Sequence, residues 1–73
     1  MSSTELEHLI KMINQIADNI TSEEGDDARA CDVAAHVKKF WAPSMIKTIT
    51  EHADVDPKEF QPVALAATRI LNG

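Results

Sequence analysis

Leu6 to Ile20 reads LEHLIKMINQIADNI, and the fold class turns on it. Leu6, Leu9, Ile10, Ile13, Ile16, Ala17 and Ile20 recur at i, i+3, i+4 spacing. That spacing lays one apolar stripe along an α-helix and cannot line one face of a strand, whose period is two. Met12 widens the stripe, and Glu7 with Lys11 forms an i, i+4 pair in the favourable order. Ser2 with Glu5, and Thr4 with Glu7, have capping-box spacing, so the first helix is expected over about 4–20.

The same period returns downstream. TSEEGDD, Thr21 to Asp27, is a polar acidic loop around Gly25, read as a solvated linker. A second helix is expected over about 27–41, with Ala30, Val33, Ala34, Val37 and Phe40 as its stripe. Asp26 and Asp27 at its start and Lys38 and Lys39 near its end complement the helix dipole. Pro43 biases Ala42 away from the α region, which ends that helix near Trp41. A short third helix places Met45, Ile46, Ile49 and Ala53 on one face. Asp54–Pro57 is expected to turn, with Asp56, Pro57 and Glu59 set as N-cap, N1 and N3. Pro62 lies too deep for a helix begun at Pro57. The expectation is therefore a short turn over 57–60 and a last helix over about 61–71, with Phe60, Val63, Ala64, Ala67, Ile70 and Leu71 inward. No strand pattern or repeat is present. The chain is expected to be one all-α domain over residues 1–73, a small bundle of three main helices and one short one.

Composition narrows the function. At 73 residues only one modest core can form. A net charge of -5 disfavours binding to phosphate backbones. No apolar run approaches the ~20 residues that span a bilayer. The single cysteine, Cys31, excludes a disulfide framework, and the first residues lack a basic, then apolar, export pattern. A cytoplasmic protein is expected. Cys31 beside Asp32 is read as a small semi-buried residue rather than a reactive thiol. His8, His36 and His52 sit on three different helices without helical metal-site spacing, so they are read as polar-face residues and no metal site is assigned. No catalytic set, P-loop or GxGxxG is present, and the chain is not expected to be an enzyme. Ser44, at a helix start, suggests a phosphopantetheine carrier only superficially, because Pro43 stands where an acidic residue would; a helix-capping serine is the ordinary reading.

HVKKFWAPSM, His36 to Met45, concentrates two lysines, two aromatics, a proline and a methionine. Consecutive aromatics on a helix point ~100° apart. If Phe40 faces inward, Trp41 emerges, with the composition of a protein-binding hot spot. The alternative is that Trp41 plugs the end of the core.

Leu9 to Ala17 together with Val33 to Met45 resembles the delta subunit of NAD-dependent, molybdenum-containing formate dehydrogenases. The matching positions are Met12, Asn14, Gln15, Ile16, Ala17, His36, Lys38, Lys39, Phe40, Trp41, Pro43, Met45, Pro62 and Val63. The F-W-x-P-x-M element is the specific part, and the resemblance runs over about 6–71. The chain departs from the pattern at Ile13, where a smaller residue is usual, and in the acidic loop. The resemblance implies a cofactor-free accessory subunit that supports assembly or maturation. Its partner would be the large catalytic subunit, which carries the molybdenum cofactor and iron–sulfur clusters, while a flavin subunit passes electrons to NAD. The partner-binding residues expected are Asn14, Gln15, His36, Lys38, Lys39, Trp41, Pro43 and Met45. The rival readings are an acidic carrier modified at Ser44 and a homodimeric helical interaction module.

Overall fold

The computed structural model describes residues 2–20 and 24–72, with side chains from Glu5 onward. It is all-α: α1 Ser2–Asn19, α2 Asp26–Phe40, α3 Pro43–Val55, a 3₁₀ turn Pro57–Glu59, and α4 Pro62–Asn72. No strand occurs among the described residues. The capping pairs Ser2–Glu5 and Thr4–Glu7 rest on side chains outside those described, as do residues 21–23 of the acidic loop.

Each apolar stripe becomes a buried face. Leu9, Ile10, Ile13 and Ala17 of α1 meet Ala30, Val33, Ala34 and Val37 of α2, Ile49 and Ala53 of α3, and Phe60, Val63, Ala64 and Ala67 of the C-terminal segment in one core. Ile13, Val33, Val37 and Ile49 are fully enclosed. The most extensive pairing is between α2 and α4. α4 achieves it with small residues, since Ala64 and Ala67 let the backbones approach closely. Thr68 is also buried, and its hydroxyl donates back to the Leu65 carbonyl at 2.6 Å, so no polar atom is stranded. The radius of gyration, 11.2 Å, equals the ~11 Å expected for a chain this long. The core is therefore closed, and any site lies in grooves on its surface.

One boundary, two caps and one stripe position differ from the sequence reading. α3 continues through Val55, so the turn expected over Asp54–Pro57 shrinks to Asp56, whose N–H is held by the His52 carbonyl at 2.8 Å. Asp56 makes no side-chain cap bond to the 3₁₀ turn. Ser44 is not a cap either: Ala42 occupies the N-cap position, Pro43 is the first helical residue, and Ser44 lies exposed one position further on. Ile70, expected on the inward α4 stripe, is 46% exposed and lines a surface groove with Cys31 of α2 and Ile46 of α3. Gly25 supplies the left-handed backbone, φ 106°, that starts α2.

Two side chains lock the elements together. Arg29 of α2 reaches the C-terminus of α1, donating from Nη2 to the Ala17 carbonyl at 2.7 Å and from Nε to the Ile20 carbonyl at 3.0 Å. A fixed cation thus satisfies carbonyls that a helix end leaves unpaired. Asn14 of α1 bridges to the start of α4: its Oδ1 accepts the Gln61 N–H at 3.0 Å and its Nδ2 donates to the Glu59 carbonyl at 3.1 Å.

Candidate partner-binding groove

At the end of α2 Phe40 leaves the inward stripe on which it was expected, and of the two readings open for Trp41 the structure takes the one in which it plugs the end of the core. Trp41 is buried, 7% exposed, and Phe40 is 66% exposed. The helical wheel explains this. On the line set by Ala30, Val33, Ala34 and Val37, residue 41 lies about 30° from the stripe centre and residue 40 about 70°. Trp41 ends α2, its N–H still bonded to the Val37 carbonyl at 2.8 Å while its backbone turns extended toward Pro43. The larger ring therefore closes the core end, and Phe40 is left outside.

Phe40 is not free-floating. Its ring lies 4.7 Å from the His36 ring, centroid to centroid and tilted, and the Lys39 ammonium sits 5.5 Å from its centroid. Beside it runs a groove of about 390 Å³ between α1 and the α2–α3 corner. Met12, Gln15, Ile16 and Asn19 form one wall; His36, Phe40, Trp41 and Met45 form the other. No acidic residue lines it.

The expected binding residues divide on this geometry. Gln15, His36, Trp41 and Met45 line the groove together, Trp41 contributing only the small part of its ring left uncovered. Lys39 stands at its rim through Phe40. Lys38 is on the other side of α2, where it lines a second groove of about 490 Å³ with Cys31, Ala34, Ala35, Ile46, Ile70 and Leu71. Pro43 is exposed and starts α3. Asn14 is engaged within the chain as an inter-helix clamp. Met12, Ile16, Asn19 and Phe40 join the groove without having been picked out as binding residues; the i, i+4, i+7 spacing of 12, 16 and 19, one helical ridge, was the available signal.

Cys31 is exposed, not semi-buried, because it lies off the α2 stripe. His8 and His36 are exposed, and His52 is half-buried. The His52 Nε2 lies 3.4 Å from Glu59 Oε2, and with Asp56 these three offer ligand atoms all within 4.8 Å of one another. This combination of one imidazole and two carboxylates at i, i+4, i+7 escaped an inspection of histidine pairs alone. It lies on the rim of the α3 C-terminus, where Glu59 is exposed to water and competes with solvent for any ion. Every buried side-chain nitrogen or oxygen among the described residues has a hydrogen-bond partner. The groove offers methionine, aromatic and aliphatic surface with amides at its edge. That arrangement can hold an apolar side chain; its lining includes no hydroxyl, thiol or carboxylate that could act with His36.

Fold and groove define a small all-helical protein with an aromatic ring exposed beside an apolar channel. Over residues 8–68 the chain matches the family described as NADH-dependant formate dehydrogenase delta subunit FdsD, and it belongs to that family. No curated protein and no solved structure matches it. The match contains both walls of the groove. Among the described residues, no helix is long and apolar enough to cross a membrane.

Proposed function

We propose that the chain is a non-catalytic accessory subunit that binds the large catalytic subunit of a formate dehydrogenase and supports its assembly or maturation. The observation that carries this reading is membership of the delta-subunit family across residues 8–68. The exposed Phe40 supports it because its ring is continuous with the apolar groove of Met12, Ile16, Trp41 and Met45, and contiguous exposed apolar surface marks interaction sites more than a lone exposed side chain does. The binding set is Gln15, His36, Lys39, Phe40 and Met45 at the groove, with Trp41 as its floor. Asn14 and Pro43 shape the scaffold, and Lys38 belongs to the neighbouring face.

The test is co-expression of the catalytic subunit with and without this chain. The expected result is co-purification of the two, and a lower content of molybdenum and of formate-dependent NAD reduction when the chain is omitted. The isolated chain should show neither formate oxidation nor stoichiometric metal or flavin by elemental and absorbance analysis. A chain that never co-purifies, and whose omission changes nothing, would remove this reading.

A further inference from the structure

The groove also carries information about what fills it. All described segments of the chain are helical or short turns, so no sheet edge is available to accept an added strand. Recognition must then use side chains lying between helices. The α1 wall runs from Met12 to Asn19, which is about 10 Å of helix, or two turns. Two methionines, an isoleucine and two aromatics line the channel, soft and apolar surface that fits branched or aromatic anchors.

Charge limits the occupant further. The chain carries 12 acidic residues, yet from Val33 to Thr50 there is no Asp or Glu, and within that stretch Lys39 stands over the Phe40 ring. The α2–α3 wall of the groove thus carries the Lys39 ammonium, 5.5 Å from the Phe40 ring centroid, and no carboxylate. An occupant carrying basic residues would meet Lys39; one carrying a carboxylate there would pair with it.

We infer that the groove receives an amphipathic helix of the catalytic subunit, two turns long, with apolar anchors at i, i+3 or i+4, and i+7, and an acidic residue at the Lys39 end. This rests on the accessory-subunit reading and adds the chemistry of the contact. Phe40 packs against the anchors, Met12 and Met45 adjust to their shape, and Lys39 fixes the orientation of the incoming helix. Lys38 faces away and takes no part.

The experiment measures affinity of the full chain for the purified catalytic subunit, then of single variants. Phe40→Ala and Met12→Gln should each weaken binding about tenfold or more with unchanged helical signal, as truncation of a buried interface anchor does. Lys39→Glu should weaken binding and remove its decline with rising salt, whereas Lys38→Glu should behave as the parent. With Gln15 replaced by the photocrosslinker p-benzoylphenylalanine, the cross-linked peptide of the catalytic subunit should be a helix bearing Asp or Glu. Parent-level binding by Phe40→Ala and Lys39→Glu overturns the inference while leaving the accessory reading intact. So does a cross-link to a strand, to a basic segment or to a second copy of this chain. Failure of the parent to bind the catalytic subunit at all removes both.

Discussion

Trp41 and Phe40 are adjacent in sequence and opposite in consequence. Deleting a buried tryptophan removes contacts on every side and leaves a void, which typically costs ~3–5 kcal/mol. A 73-residue domain has only about 4–11 kcal/mol of stability to lose. Trp41→Ala is therefore expected to remove a large part of that stability, seen as a denaturant midpoint shifted sharply down. Phe40→Ala, at a side chain two-thirds in water, should change the unfolding free energy by no more than ~0.5 kcal/mol and so barely move the midpoint. Equal melting of the two variants would contradict their placement. This pair also shows where sequence reading falls short. The stripe through Val37 was plain, but Phe40 at i+3 and Trp41 at i+4 both continue it. The finer wheel position and the demand to fill the core end, which only packing supplies, decided between them.

At the scale of elements, the helices were legible and their joints were not. Apolar period and the prolines at 43 and 62 gave α1 to α4 to within a few residues. Arg29 was invisible, because nothing in its own helix reveals that its guanidinium will close the end of another. Its two carbonyl partners and fork geometry make Arg29→Lys a poor replacement. Arg29→Met should lower stability by ~1–2 kcal/mol and Arg29→Lys by nearly as much, with earlier hydrogen exchange over residues 17–20. A lysine variant as stable as the parent would show that charge alone suffices. Asn14 behaves similarly. Its family-like position suggested a binding role, but the side chain bridges α1 to the start of α4. Asn14→Ala leaves the Gln61 N–H without its partner and should cost ~1–3 kcal/mol by chemical denaturation, whatever it does to binding.

For the whole molecule, a single core shared by all four helices means that none has an independent stability. Unfolding is expected to be one cooperative transition, with the far-ultraviolet helical signal and near-ultraviolet tryptophan signal lost together. A strand-dominated spectrum, or two separated transitions, would contradict the fold. The groove was half legible at this scale. The segment from His36 to Met45 was visible as a concentration of binding chemistry. That α2 would divide its two lysines between faces, and that α1 would supply Met12, Ile16 and Asn19 as the opposite wall, depended on how the helices pack.

The chain has one tryptophan and no tyrosine. Its near-ultraviolet-excited emission therefore comes essentially from a single indole, shielded at the core end yet forming part of the groove floor. The same fluorophore should shift to the red when the bundle opens and change in intensity or quenching when the channel is filled. Folding and docking can thus be followed in the unlabelled protein, and iodide access to that ring separates the two, rising with the first and falling with the second.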